Sequence, residues 1–213
     1  MNSDRTVGFG IRWRHVSLLI AIVVLLALAG RQWHFVDQYS VNMMCWDQWD
    51  DYWPMFRGQG WWACFNFQPG PQRQGAGELL MRCVAAASGW NSRWDSFSIS
   101  ATLTAAAIAA MALVWIADVR GVALIALPLL FFNVRQYQQL VADANVAHGA
   151  MPILLLMLYG LAWYARPITL RAALLVFLTF LLIFTGYGIF AGLLTPIVLI
   201  VELAQETGAG QRR

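Results

Sequence analysis

The sequence predicts an all-α integral membrane protein, and its composition and apolar runs carry that prediction. The chain has 213 residues, of which 60% are hydrophobic and 12% charged, with a mean hydropathy of +0.58. Soluble domains usually carry about 25% charged residues. Several apolar runs approach the roughly 20 residues that a helix needs to cross a bilayer. The runs lack the alternation typical of barrel strands, so in lipid their backbones must form helices.

About six transmembrane helices are predicted, separated by one long polar segment. Residues 1–15 form a cytoplasmic N-terminus, and residues 16–30 form the first helix. No small-x-small cleavage site follows this helix, so we expect it to stay as a membrane anchor rather than a signal peptide. A Trp-rich extracytoplasmic loop at 31–97, a five-helix membrane bundle at 98–203 and a cytoplasmic tail at 204–213 complete the chain. The bundle helices are expected at 98–117, 121–132, 149–165, 169–185 and 189–203.

The arginines predict the orientation of these helices. The basic residues are 14 arginines scattered between apolar runs, unlike the basic patch of a nucleic-acid binder. With the N-terminus inside, the cytoplasmic segments carry eight arginines and four acids, and the outer segments carry six arginines and seven acids. This balance follows the positive-inside rule. We therefore expect both termini in the cytoplasm and no nucleic-acid partner.

The loop at 31–97 holds all three cysteines of the chain. In an oxidising compartment two of them can pair, and a Cys45–Cys64 disulfide would staple the Trp-rich segment. The chain has no C-x-x-C motif, which argues against a membrane thiol oxidase. We therefore expect structural rather than redox cysteines.

An acidic cluster lies near the start of the same loop, in Asp47-Gln-Trp-Asp50-Asp51. A carboxylate pressed against tryptophans beside a bilayer is partly desolvated, which raises its pKa and suits it to general-base work. Carboxylate oxygens also suit Mg²⁺ or Mn²⁺, so binding of a divalent metal is a second interpretation. A solvated acidic turn is the third.

Two further polar features share this side of the membrane. Residues 78–89 have the pattern of an amphipathic helix on the membrane surface, with Glu78 and Arg82 on its polar face and Gly89 as its C-cap. The polar segment from Asn133 to His148 faces the same side, so it can share a cavity with the acidic cluster. His148 is then a candidate general acid, although a histidine at the start of a helix is more often a surface residue.

The order of these pieces resembles bacterial membrane proteins of the C-type (GT-C) glycosyltransferase class. The matching pieces run along most of the chain. They are Asp47-Gln-Trp-Asp50-Asp51, the surface helix that ends in Ser88-Gly-Trp-Asn-Ser-Arg93, Asn133-Val-Arg135-Gln-Tyr137, and Gly186-Tyr-Gly188. In that class a first helix leads to a large outer loop with an acidic motif, followed by surface helices and a membrane bundle.

The resemblance implies an enzyme of the bacterial inner membrane that moves a sugar from a polyprenyl-phosphate carrier to an extracytoplasmic acceptor. By position, Asp47, Asp50 or Asp51 would be the base, and Arg73 or Arg135 would hold the phosphate.

The chain departs from this class in ways that support an alternative. Where related proteins carry Glu-His-Arg before the surface helix, this chain has Pro71-Gln72-Arg73, and it has about half the usual number of helices. The alternative is therefore a non-catalytic accessory subunit that packs against other membrane chains. Small residues such as Ala101 and the run 105–110 would allow that packing. A transporter is disfavoured because the spans hold almost no ionisable residue.

Overall fold

The computed structural model describes residues 3–119, 121–133, 137–142, 144–185 and 188–210. Within these ranges the chain is helical and contains no β-strand, which confirms the all-α prediction. The long elements are α1 (Ser3–Tyr39), α5 (Gly75–Ser88), α6 (Arg93–Ile116), α7 (Gly121–Phe131), α8 (Ala150–Ala162), α9 (Ile168–Ile183) and α10 (Ile189–Gly210). The short ones are α2 (Gln48–Asp51), α3 (Trp53–Phe56), α4 (Trp61–Phe65) and a π-helical turn (Gln138–Ala142).

Six apolar helices, α1 and α6 to α10, run back and forth between two ends of the molecule. One end of the molecule is here called the terminal end. There Arg14 pairs with Asp118 at 2.9 Å, and Arg171 pairs with Glu202 at 3.4 Å. The other, here called the tryptophan end, carries α2 to α5 and the segment 144–149. Helix α6 lies centrally, packed against α1, α7 and α8, and α9 packs between α8 and α10.

The six helices differ in length. Two of them, at Trp13–Tyr39 and Arg93–Ile116, are long and apolar enough to cross a membrane. The apolar parts of the other four are shorter, at Gly121–Phe131, Ala150–Ala162, Ile168–Ile183 and Gly192–Glu202. At 1.5 Å per residue, the 11 residues of α7 reach about 16 Å, roughly half the thickness of a bilayer core.

Helix α1 extends well beyond the predicted 16–30 at both ends. Past Gly30, Gln32 donates a hydrogen bond to Ser100 Oγ at 3.2 Å, and Val36 is fully buried. Asp37 pairs with Arg93 at 3.0 Å. The polar residues that indicated a loop are therefore a continuation of the helix, because α6 and its flanks supply their partners.

Helix α5 occupies the position of the predicted surface helix, and Gly89 ends it in the left-handed conformation, with φ of 63°. Its predicted orientation is wrong, because the polar position Glu78 faces inward. Glu78, Met81 and Ala85 form the buried stripe of the helix. These three positions follow the helical repeat. Glu78 belongs to the buried stripe because the neighbouring Gly77 packs directly against Ala147, with no room for a Cβ on Gly77.

The alanine run of α6 is used mainly within the chain. Ala106, Ala107, Ala109 and Ala110 are buried among the neighbouring helices, so these four pack within the chain. Only Ala101 and Ala105 of the predicted small residues are exposed. Small side chains at the centre of the bundle let α6 approach several helices closely.

Candidate functional site

The segment from Asp47 to Arg57 is nearly continuous helix, and its periodicity determines which acids of the cluster are buried and which are exposed. Its buried side is lined at spacings of three and four by Gln48, Asp51, Tyr52 and, partly, Met55. Asp47 and Asp50 are exposed. The expectation of a desolvated carboxylate therefore holds for Asp51 alone, because its two neighbours in the motif are exposed to solvent.

Asp51 is fully buried and held by two amide side chains. Gln74 Nε2, just before α5, donates to Asp51 Oδ1 at 2.8 Å. Asn145 Nδ2 donates to Asp51 Oδ2 from the segment before α8. Asn145 is itself fixed, because its Oδ1 accepts from the backbone N–H of Ala147 at 2.7 Å. Two distant parts of the chain thus hold the carboxylate of Asp51 in a single orientation.

The same two amides connect Asp51 to His148. The amide nitrogens of Gln74 and Asn145 face Asp51 and donate to its carboxyl oxygens. Their nitrogens also lie 3.1 and 3.4 Å from His148 Nε2. His148 Nε2 thus lies within hydrogen-bond reach of both amides.

Asp47, Asp50, Asp51 and His148 line one cavity of about 200 Å³, here called the acid cleft. Its remaining wall is the segment Pro69-Gly70-Pro71-Gln72. The sequence placed the acids and His148 on the same side of the protein, and the structure brings them together. The cleft offers fixed acceptors and an imidazole beside each other, an arrangement suited to binding hydroxyl groups and to moving a proton.

Arg73, one of the two predicted phosphate ligands, does not line this cleft. The Arg73 guanidinium lies over the ring of Phe184, 5.2 Å from its centroid, at the tryptophan-end terminus of α9. Arg73 follows directly on the cleft segment 69–72, so it lies near the cleft but outside its lining. Arg135 falls outside the described residues.

The Cys45–Cys64 disulfide is not formed. All three cysteines are free, and Cys64 is fully buried while Cys83 is exposed. Arg82 Nη1 lies 3.0 Å from Cys64 Sγ, and its other partner is the Gln59 carbonyl at 2.6 Å. Cys64 thus packs as a buried thiol against α5, while Cys45 lies half-buried in another turn.

A buried group that sequence reasoning missed lies behind Asp51. Glu78 is fully buried, and neither of its carboxyl oxygens has a hydrogen-bond partner. Burial, together with the nearby charges of Asp51 and Asp95, raises the pKa of Glu78 to about 9, against a smaller opposing effect of Arg82. Glu78 is therefore protonated at neutral pH and adds no second negative charge beside Asp51.

Tyr52 completes this buried region. Its hydroxyl donates a hydrogen bond to Asp95 Oδ2 at 2.5 Å. Burial, followed by the charge of Asp95 and this hydrogen bond, raises the pKa of Tyr52 above its usual value. Helical spacing could have assigned Tyr52 and Glu78 to buried stripes, but no local signal marks Gln74 or Asn145 as partners of Asp51.

The donor set gives no support for the Mg²⁺ or Mn²⁺ interpretation. Among the described residues, no group of three or more His, Cys, Asp or Glu side chains is arranged to hold a metal ion. We therefore assign no metal ligands.

Comparison with known proteins yields no relative: no family model, curated protein or solved structure matches the chain. The arrangement of the acid cleft is thus the basis on which a function can be argued.

Proposed function

We propose that the chain is a six-span protein of the bacterial inner membrane, with both termini in the cytoplasm and the tryptophan end outside. The support comes from the apolar side chains that the bundle leaves exposed. They include Leu19, Val23, Leu26, Val122, Leu130, Val176, Phe177, Leu193, Ile197 and Ile200. An exposed apolar surface on this many helices fits a lipid environment.

The short helices are compatible with this arrangement. Non-helical backbone at membrane depth is tolerated when it is buried in protein. Ala144, Asn145, Val146 and Ala147, which precede the short helix α8, are all buried. Eight tryptophans lie in 31–97 and all are exposed by at least a third, which fits the aromatic belt of a membrane interface.

We further propose that the acid cleft transfers a sugar from a polyprenyl-phosphate donor to an acceptor hydroxyl, as the GT-C resemblance implies. The observation that carries this proposal is Asp51, buried and held in one orientation at the wall of a polar cleft. Asp51 takes the hydroxyl proton while the acceptor oxygen bonds to the anomeric carbon. The bond from that carbon to the phosphate oxygen breaks, and polyprenyl phosphate leaves.

In this proposal Arg73 meets the donor phosphate. The guanidinium of Arg73 lies over the ring of Phe184, and the ring centroids of Phe184 and Phe180 are 5.1 Å apart. Phe180 lines an apolar groove of about 440 Å³ between α9 and α10. A prenyl chain in the groove and a phosphate at Arg73 would bring the donor sugar towards the segment 69–72 of the cleft.

The test is sugar transfer by the purified protein in nanodiscs. The donors are polyprenyl-phosphate glucose, mannose, galactose and N-acetylglucosamine, each radiolabelled and offered with an extracytoplasmic membrane extract as acceptor. We expect wild type to turn over at least one donor, and Asp51→Asn to lower the rate by about 10² or more, the usual contribution of a general base. Asp118→Asn, at the terminal end, is the matched control and should retain the wild-type rate.

Transfer by Asp51→Asn at the wild-type rate would refute the role of this carboxylate. Failure of the wild type to use any of the four donors would refute the transferase proposal itself.

A second candidate function is the accessory subunit, and it is supported by the exposed aromatic surface at the tryptophan end. Trp46, Trp49, Trp61 and Trp62 are each more than half exposed. A subunit should leave the membrane in mild detergent together with other chains in fixed stoichiometry. Isolation as a lone monomer with transfer activity would contradict that reading.

A further inference from the structure

A second cavity adjoins the acid cleft. It measures about 320 Å³ and is lined by Asp50, Trp53, Phe67 and Pro69. Asp50 and Pro69 also line the acid cleft, so the two spaces meet along these residues. One side of the combined space is therefore aromatic, and the other carries carboxylates, amides and an imidazole.

The helical periodicity of 47–57 explains this composition. Asp47, Asp50 and Trp53 follow each other at intervals of three, so they share the exposed side of the helix. The Arg57 guanidinium lies over the Trp53 ring, 4.4 Å from its centroid, and supports the orientation of the indole. An aromatic ring is thus held on the same face as an exposed carboxylate.

The chemistry of the walls restricts the class of ligand. Among the described residues, no arginine lines either cavity, and the carboxylates of Asp47, Asp50 and Asp51 would repel an anion. A purely apolar chain would leave these carboxylates unpaired. A neutral polyol with an apolar C–H face fits both walls, because its hydroxyls donate to carboxylates and its C–H groups pack on the electron-rich face of an indole.

We propose that this second cavity binds a sugar ring of a saccharide acceptor, stacked on Trp53 with its hydroxyls on Asp50. The adjoining sugar unit then reaches into the acid cleft, where its hydroxyl meets Asp51. This inference rests on the transferase proposal for the order of events, but it adds the chemical class of the acceptor and the residues that bind it.

The test is saturation-transfer NMR on the full chain in nanodiscs, with maltose, cellobiose, lactose and chitobiose as probes. We expect saturation to reach the C–H protons of at least one disaccharide. Trp53→Leu should raise its Kd about tenfold, the usual value of an aromatic stacking contact. Trp94→Leu removes an equally exposed tryptophan that contacts Phe97 away from the cavities, and it should leave the Kd unchanged.

Two more variants separate binding from folding. Trp53→Phe keeps an aromatic face and should retain most of the affinity, even if Trp53→Leu unfolds. Asp50→Asn should weaken binding without altering the thermal unfolding midpoint, since its side chain is exposed.

The acceptor proposal is refuted if none of the disaccharides binds, or if Trp53→Leu folds and binds like the wild type. Its failure is distinguishable from failure of the transferase proposal. Loss of transfer in Asp51→Asn with no effect of Trp53→Leu on binding would refute the saccharide site alone. Trp53-dependent binding without any transfer would refute the transferase alone.

Discussion

Helix α6 and the tryptophan end hold hydrogen-bonding side chains in different ways. In α6, two threonine hydroxyls turn back on their own helix: Thr102 donates to the Ser98 carbonyl and Thr104 to the Ser100 carbonyl, each at 2.7 Å. At the tryptophan end, polar side chains bond across the chain, as Asp51 does with Asn145. Local bonds make these positions of α6 tolerant of change, whereas the site depends on every element that meets there.

The largest effect should come from the contact that joins α5 to the segment before α8. A Cβ on Gly77 would collide with the backbone and side chain of Ala147. We expect Gly77→Ala to lower the free energy of unfolding by about 3 kcal/mol, since overpacking shifts a buried backbone. Thermal unfolding in detergent measures it, with Gly60→Ala as control because nothing lies within 4 Å of that position. Equal stability of both variants would show that the two segments do not pack this tightly.

Removing one amide donor should have the next largest effect. Asn145→Ala leaves Asp51 Oδ2 without its amide partner in a buried site, and we expect a loss of about 2 kcal/mol. Asn66→Ala, at an exposed position of the same end, is the control and should change stability little. If the two variants unfold at the same temperature, the network around Asp51 does not stabilise the tryptophan end.

Glu78 should give the tryptophan end a distinctive pH dependence. Its pKa of about 9 in the folded state exceeds its ordinary value of 4.5, so between these values the folded state binds more protons than the unfolded state. Stability should therefore fall as the pH rises through this window. Glu78→Gln removes this loss and should be more stable than the wild type by about 1–3 kcal/mol at pH 8.5, but not at pH 4.5.

Unfolding midpoints of both proteins across pH 4.5 to 8.5 check this, with Asp50→Asn as an exposed control. A constant difference between Glu78→Gln and the wild type across that range would contradict the burial of a protonated carboxyl.

The smallest effect should come from a hydroxyl of α6 that bonds to its own helix. Thr104→Val keeps the shape of the side chain and removes a hydrogen bond to its own helix, so we expect a change below about 1 kcal/mol. The same unfolding assay measures it. A loss as large as that of Asn145→Ala would remove the contrast between the two regions.

The same contrast explains what the sequence could predict. Helices α7, α8 and α9 were predictable within a few residues, because hydropathy acts along a continuous run, whereas α10 continues seven residues past its predicted end. Helical spacing could also have separated Asp51 from Asp50. The pairing of Gln74 with Asp51 could not be foreseen, because it joins residues 23 apart through the packing of α5. Glu78 was assigned to the wrong face, since its burial depends on how close Gly77 comes to Ala147.

The proposed function requires the tryptophan end to lie outside the cytoplasm, and Cys83 provides a direct test. Cys83 is an exposed free thiol on α5. In the Cys45→Ser, Cys64→Ser variant, a membrane-impermeant maleimide should label Cys83 in intact spheroplasts. The control carries Tyr164→Cys and Cys83→Ser in the same background, so its only thiol lies at an exposed position of the terminal end. This thiol should react only after permeabilisation. Labelling of Cys83 only after permeabilisation would place the acid cleft in the cytoplasm and contradict the account.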